Sequence, residues 1–530
     1  MTELSQGIAV FKHQKGSKDM TELARTHFSW KSLLRPSVLL GLATLALHLA
    51  AGGGYGFFRD ELYFIVCGQR LAWGYVDQPP IVPLLSSLMW TISGGSHFIF
   101  SLFPAVVMAL TVAVTAEFAR SLGGGRFAQF LAALCVFGAV VLLANGTLFS
   151  TETLQPLLWL GCSWCIVRIV KTGNEKWWLV FGAIAGISFL NKYLIGLYLV
   201  GILVGMLATP LRKSFLRPWL WAALALALAI IAPNVVWQYR HGWPFVELAG
   251  AAVGWKNVAL SPLAYLGQQV LLAGPLALPV WLAGLWAFGI KPKHAAYRTF
   301  AVCYVVMFAL AVTMHGKSYF LGGIYPLMFA GGAVWLESKV RSTAVRAIYS
   351  GVCAYAVLVF APVTVPLLPV TSYLAYAKFL HVSPSEGASE HMSSGVLPQY
   401  YADKFGWKEM AEKVAAVYNA LPPEQRAKAV FFGRNYGEAA AIDIFGRPLG
   451  LPPAISGHNS YYLWGPMGHD GSVVIVLTNE LKELNAAYQE VTVAGRLDNP
   501  YAMPYETNIS IVVASGLKVP FSWERLKHYE

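Results

Sequence analysis

Four short stretches of this chain place ionisable side chains in surroundings that are otherwise strongly apolar. The first reads Arg59-Asp60-Glu61-Leu62-Tyr63 and continues to Gly74-Tyr75-Val76-Asp77-Gln78-Pro79-Pro80. The second, near residues 145–153, offers Glu152. The third is Asn191-Lys192, and the fourth runs from His315 through Lys317 to Tyr319. A carboxylate can take a proton from an attacking hydroxyl. Lysine ammonium groups can hold a phosphate leaving group as point charges. Brought together, these groups form a mixed-charge cleft that suits a substrate with a lipid tail in the bilayer and a phosphate head at its surface. Each group also has a plainer reading. Asp60-Glu61 suits the start of a helix electrostatically, Glu152 does the same for a following helix, and Lys192 and Lys317 reach for the interface by snorkelling.

The elements that must position these groups follow from composition. Of 530 residues, 56% are apolar and 12% charged, and mean hydropathy is +0.53; soluble domains carry about 25% charged residues. This excludes a soluble enzyme, a disordered chain and an ordinary nucleic-acid-binding protein. The net charge of +12 lies in the apolar part, because the first 370 residues hold 26 of the 39 Lys and Arg but only 11 of the 27 Asp and Glu. About 17–25 apolar residues cross a bilayer. On that rule, spans are expected near residues 36–54, 98–119, 127–144, 154–170, 177–190, 193–210, 218–236, 263–290, 299–314, 319–336 and 347–369.

Basic residues then fall in alternate loops: Lys12 to Arg35, Arg120/Arg126, Lys171/Lys176, Arg212/Lys213/Arg217, Lys291/Lys293/Arg298 and Lys339/Arg341/Arg346. With about eleven spans all of them lie on the cytoplasmic side. Merging 177–190 with 193–210 would put the later clusters outside, so the two are kept apart. The reading is a mostly α, polytopic protein of the inner (cytoplasmic) membrane. Residues 1–35 form a cytoplasmic arm, 36–370 the membrane part and 371–530 a soluble extracytoplasmic domain. The arm is too long and polar for a cleaved signal peptide, and the first span is expected to stay as an anchor.

All the ionisable stretches named above then lie in outer loops. The first of these, with helices expected over about 60–73 and 81–92, is read as interfacial from 58 to 93, lying in the membrane plane. The tail reads as α/β, with a helix over Trp407–Ala420, strands at Ala429–Gly433, Val473–Thr478 and Ile509–Ser515, and a helix over Tyr436–Phe445. Pro366, Pro369 and the stretch 383–396 mark the linker. The aromatic segment Ser456–Pro466 reads as a packed loop rather than a sugar-stacking surface. All six cysteines lie in the apolar part, where they read as small buried hydrophobes. No metal-ligand constellation and no internal repeat is found, and Gly52–Gly56 follows a membrane helix rather than a strand, so it does not read as a phosphate loop.

The first-loop motif resembles the family 39 glycosyltransferases, which include protein O-mannosyltransferases, the bacterial transferase that adds aminoarabinose to lipid A, and rhizobial galacturonosyl transferases. The resemblance continues through Gly186–Tyr193, Pro233–Trp237 with His241–Pro244, and Lys317–Phe320 with Tyr325-Pro326, covering residues 36–340. It implies a GT-C architecture and inverting transfer of a sugar from a polyprenyl-phosphate donor to an envelope lipid, glycan or protein hydroxyl. No required cofactor and no nucleic-acid partner is expected. By the resemblance, Asp60 is the base or acceptor-orienting carboxylate, Glu61 supports it, and Glu152 matches a second acidic position. Lys192 and Lys317, with Tyr319, would contact the donor phosphate, and Arg59, Tyr63, Asp77 and Gln78 would bind substrate. The aminoarabinose branch has Lys where this chain has Gln78 and Arg where it has Tyr63, so the donor sugar is not carried over. The contrasting readings are a transporter or lipid flippase with an external domain, and a receptor or scaffold that uses the tail.

Overall fold

A computed structural model describes residues 35–52, 54–251, 258–383 and 395–529. The basic residues of the N-terminal arm before Arg35 and most of the expected linker 383–396 lie outside the described residues.

The chain is mostly helical. The main helices of its first part are α1 (Pro36–Ala51), α2 (Arg59–Gln69), α3 (Ile81–Ser93), α4 (Leu102–Ser121), α5 (Arg126–Gly138), α6 (Gln155–Thr172), α7 (Trp177–Asn191), α8 (Ile195–Leu207), α9 (Pro218–Arg240), α10 (Pro262–Ala273), α11 (Leu278–Gly289), α12 (Arg298–Thr313), α13 (Tyr325–Lys339) and α14 (Thr343–Thr364). Among the described residues, five helices are long and apolar enough to cross a membrane, or seven if each bent pair counts as one span. The chain is a multi-pass membrane protein.

Two departures from the expected spans have local causes. The stretch read as one span over 263–290 is broken into α10 and a following helix bent by 96°, because Gly274 has a φ of +88° and is followed by Pro275. The stretch 127–144 stops at Ala139, whose extended backbone separates α5 from a short helix at Val140–Asn145. The break between α7 and α8 falls at Lys192, which has extended backbone (φ −158°, ψ 132°).

Packing sorts the helices by their surfaces. In α13 every residue from Tyr325 to Ala333 is buried, as expected for a helix that is apolar all round and sits at a core. It lies against α11 at very short range. A Cβ at Gly332 would stand 1.8 Å from the Val280 carbonyl oxygen, and one at Gly284 would stand 2.1 Å from that of Met328, so only small residues permit this crossing. By contrast α9 buries only Ala223, Asn234 and Gln238. An apolar helix so exposed suits contact with lipid, and its two buried polar side chains mark the one place where it must hold something.

Beyond α14 the chain builds a four-stranded sheet in the order β1-β2-β4-β3, from β1 (Ala429–Phe432), β2 (Val473–Leu477), β3 (Tyr488–Leu497) and β4 (Ile509–Leu517). β1 and β2 are parallel, and the other pairs are antiparallel. Helix α15 (Trp407–Ala420) and a short helix α16 (Tyr436–Ala441) cover one face. The expected helix over Tyr436–Phe445 is α16 followed by one π turn, Ile442–Gly446. β3 has no counterpart among the expected strands. Most of its interior is exposed, so it lacks the apolar run that reveals a buried strand.

The placement of α2 differs most from expectation. Residues 61–68 are all buried, and Leu62, Ile65, Val66 and Cys67 share one core with Trp407, Met410, Phe431 and Ile475 of the tail. The helix expected at the lipid surface is therefore roofed by the tail domain. In α3, Leu84, Leu88 and Ile92 remain more than half exposed, on one face at helical spacing.

Candidate active site

Helix α2 starts with its charged residues because its first N–H groups need acceptors. Glu61 accepts the Phe58 N–H at 2.8 Å, a capping-box contact. Its other oxygen accepts the Phe149 N–H at 2.8 Å, from the loop that carries Glu152, and His97 Nε2 lies 3.5 Å away. The side chain is fully buried. Burial alone would raise its pKa, but Lys404, His97 and the Phe149 N–H together outweigh burial and hold Glu61 below the usual carboxylate range. Glu61 thus ties the helix start to the loop that carries Phe149 and Glu152.

A carboxyl whose folded pKa is depressed stabilises the fold above its unfolded pKa and loses that contribution as pH falls through the folded value. Glu61→Gln would remove the negative charge that faces the buried Lys404 ammonium and His97, which destabilises the fold. The expected result is a lower thermal midpoint for Glu61→Gln at neutral pH, with the gap to wild type closing as pH drops below the ordinary 4.5 of this group. A gap constant with pH would show that the charge of Glu61 contributes nothing.

Asp60 stands beside it with a third of its side chain exposed. Its Oδ1 accepts the Tyr436 hydroxyl at 2.8 Å and lies 3.4 Å from Arg59 Nε. Arg59 Nη1 donates to the Tyr505 hydroxyl at 2.7 Å, and Nη2 lies 3.8 Å from Asp403. The Tyr63 hydroxyl donates to Asp77 at 2.9 Å and accepts the Ser460 N–H at 3.2 Å. The rings of Tyr63 and Tyr436 stack with centroids 4.5 Å apart. Asp77 is half-buried. Gln78, placed by the resemblance on the substrate side, is 1% exposed, its amide nitrogen 3.9 Å from Cys67 Sγ.

The second group forms where three turns between helices meet. Glu152 is ion-paired with Lys192 and accepts the Thr151 hydroxyl at 2.8 Å. Lys192 lies 5.6 Å from the rings of both Tyr319 and Phe320, and Lys317 lies 5.8 Å from Tyr319, within cation–π range. Burial would raise the pKa of Glu152, but Lys192, Thr151 and Lys317 outweigh it and keep the carboxyl ionised. Polar side chains brace these turns from below: Asn191 donates to Thr151 O at 2.8 Å, and Gln269 to Ser318 O at 2.8 Å. Glu152, Lys192, Lys317 and Tyr319, far apart in sequence, are thus assembled into one cluster. It is joined to the Asp60 region by the Glu61–Phe149 contact.

Several residues of this arrangement were given no role by the sequence reading, although Tyr193 and Asn234 lie in stretches it singled out. Asn234 donates to Trp73 O at 2.7 Å and Gln238 to Tyr75 O at 3.0 Å, and Tyr193 bonds to both side chains. Polar residues four apart in an apolar span were a usable signal, since such groups inside a membrane helix normally have a task. Tyr436, Ser460, Tyr505, Asp403 and Lys404 gave no such signal, because each meets α2 or the turn before it across more than 300 residues of sequence. The Ser456–Pro466 segment, read as a packed loop, holds Tyr63 through Ser460. Among the described residues no group of three or more His, Cys, Asp or Glu is placed to hold a metal ion.

The chain superposes on ArnT from Cupriavidus metallidurans in the apo state with a TM-score of 0.56 at 12% identity, over 90% of this chain and 97% of that one. The same protein bound to undecaprenyl phosphate gives 0.55 at 13% identity, with the same coverage. At these identities the likeness shows the fold. Residues 77–237 match the family of dolichyl-phosphate-mannose-protein mannosyltransferases. Lipid A galacturonosyltransferase RgtD of Rhizobium johnstonii is 24% identical over 255 residues, which are 47% of this chain and 53% of the relative. The chain thus spans about half the length of the curated relative it matches.

Proposed function

We propose that this protein is an inverting glycosyltransferase that moves a sugar from a polyprenyl-phosphate donor to a hydroxyl group on the outer face of the cytoplasmic membrane. The observation that carries the reading is the meeting of Lys192, Lys317, Tyr319 and Glu152 in one cluster tied to the loop of a half-buried Asp60. Cations at one end and a partly exposed carboxylate at the other are what phosphate departure and hydroxyl attack require. The ArnT likeness, with undecaprenyl phosphate bound in one structure, supports a lipid-linked donor, and the RgtD likeness favours a lipid acceptor over a glycan or protein.

In this reading the acceptor oxygen attacks the anomeric carbon of the donor as the bond from that carbon to the phosphate oxygen breaks. Asp60 takes the hydroxyl proton. Lys192 and Lys317, with Tyr319 packed beside them, stabilise the leaving polyprenyl phosphate. Glu152 holds Lys192 in place. Arg59 and Asp77 line the acceptor side, while the fully buried Tyr63 and Gln78 act from within, Tyr63 by holding Asp77. No cofactor enters this scheme.

The direct experiment is mass spectrometry of envelope lipids, glycans and proteins from cells with and without the gene. A glycoconjugate lost on deletion and restored by wild type but not by Asp60→Asn supports the reading; an unchanged envelope together with altered solute or lipid transport favours a transporter. The topology is part of the same proposal: eleven spans, the N-terminus inside, and residues 371–530 as an extracytoplasmic domain. A reporter active only outside the cytoplasm should be active when fused after residue 530. A fusion that is inactive there, with a cytoplasmic reporter active at the same point, overturns this orientation.

A further inference from the structure

The tail domain does more than cover α2: it reaches the carboxylate to which the proposed function assigns the proton transfer. The Tyr436 hydroxyl donates to Asp60 Oδ1 at 2.8 Å. The ring that carries it is buried and stacked on Tyr63 at 4.5 Å and 29°, and the Tyr63 hydroxyl donates to Asp77 at 2.9 Å. Two stacked tyrosines, one from each end of the chain, therefore each hold one carboxylate of the cleft. The loop that carries Tyr436 is itself fixed. Asn435 caps α16 by accepting the N–H groups of Gly437 and Glu438 at 2.8 and 3.0 Å, and the Tyr436 N–H donates to His458 Nδ1 at 3.2 Å. The Arg59 guanidinium lies 5.3 Å over the same ring.

We infer that Tyr436 is a positioning residue for Asp60, supplied by the tail domain, and that the stacked Tyr63–Tyr436 pair sets the orientation of Asp60 and Asp77 in the cleft. The inference rests on the assignment of Asp60 as the proton acceptor. Its physical basis is directional. Both contacts on the Asp60 carboxylate, from Tyr436 and Arg59, fall on Oδ1, which fixes the carboxylate plane and leaves Oδ2 to meet a hydroxyl. Burial keeps the Tyr436 phenol protonated against the opposing pull of Arg59, with the Asp60 carboxylate adding to it, so it remains a donor. A carboxylate held at one oxygen presents the other in one direction, and geometry of this kind is what separates a productive base from a nearby acid.

The test uses the full-length protein in membranes, with transfer of sugar from a polyprenyl-phosphate donor to the acceptor found by mass spectrometry. Tyr436→Phe keeps the ring and its stack and removes only the hydroxyl. It should lower kcat about 10-fold or more, as expected for loss of a hydrogen bond to a charged group, leave the donor KM unchanged, and unfold near the wild-type temperature. Tyr436→Leu should lose activity and stability together. In an Asp60→Asn background, Tyr436→Phe should cause no further loss, because a residue acting through Asp60 has nothing left to position. A Tyr436→Phe protein with wild-type kcat, alongside an impaired Tyr436→Leu, would reduce the residue to packing and overturn the inference. Equal losses from Tyr436→Phe with and without Asp60 would also overturn it. Near-normal turnover by Asp60→Asn alone is a different result, since it removes the base assignment on which the inference rests.

Discussion

Asp60→Asn should fold, insert and bind donor, yet transfer sugar at least about 100-fold more slowly, the lower end of what removing a general base costs. The structure makes this a clean substitution. Asn is the same size, its carbonyl oxygen can still accept the Tyr436 hydroxyl now received by Oδ1, and a third of the side chain is exposed, so little packing depends on it. What disappears is the ability to take a proton. The neighbouring Glu61 offers no substitute, because its two oxygens are taken by the Phe58 and Phe149 N–H groups and it is fully buried. Single-turnover transfer in membranes, with donor binding measured in parallel, checks the result. Near-normal turnover would move the assignment to Asp77 or Glu152.

Lys192→Ala and Lys317→Ala should each raise the donor KM about 10- to 150-fold, the equivalent of the roughly 1.5–3 kcal/mol held in a charge-assisted contact. The Lys192 variant needs a control that the structure itself supplies. Lys192 is paired with Glu152, so Lys192→Ala strands a carboxylate that is only 14% exposed, and that alone is destabilising. Combining Lys192→Ala with Glu152→Gln removes the stranded charge. If the damage is structural, the double variant recovers both stability and donor use; if Lys192 holds the phosphate, stability recovers and the donor KM stays high. The same Glu152→Gln control serves Lys317→Ala, because Lys317 also helps to hold the Glu152 carboxyl ionised. Wild-type donor kinetics in both lysine variants would show that these side chains only snorkel.

Much of this architecture was legible in the sequence. Helices stand at every apolar stretch read as a span, because burial in lipid or in a helical bundle demands long apolar runs whatever the neighbours are. The separation of α7 from α8 at Lys192 was legible too, through the placing of basic residues in alternate loops, which keeps the two apolar runs apart. Helix α15 begins and ends at the expected residues, as its amphipathic spacing dictated. Boundaries failed where a backbone conformation rather than hydropathy decides, as at Gly274 with its positive φ and at Ala139. β3 was missed because an edge strand with an exposed interior has no periodicity to read.

The same division runs through the candidate site. The types and approximate depth of Asp60, Glu152, Lys192 and Lys317 were set by local sequence, because an ionisable residue at the end of an apolar span has few places to go. Which of them touch was not. Glu152 meets Lys192 where Asn191 ties the Lys192 turn to the Thr151 carbonyl, and Gln269 holds the turn of Lys317 through the Ser318 carbonyl. Glu61 differs from Asp60, its chain neighbour, only through what packs over it: Lys404 from the tail and the Phe149 N–H from the second loop make one carboxylate a brace and leave the other open. The roof over α2 was invisible for the same reason. A sequence fixes which side chains are apolar, and the helix that seemed made for the membrane surface has the same residues as one made for a protein core. Only the fold, by bringing Tyr436 and Trp407 to it across more than 300 residues, decided which of the two it would meet.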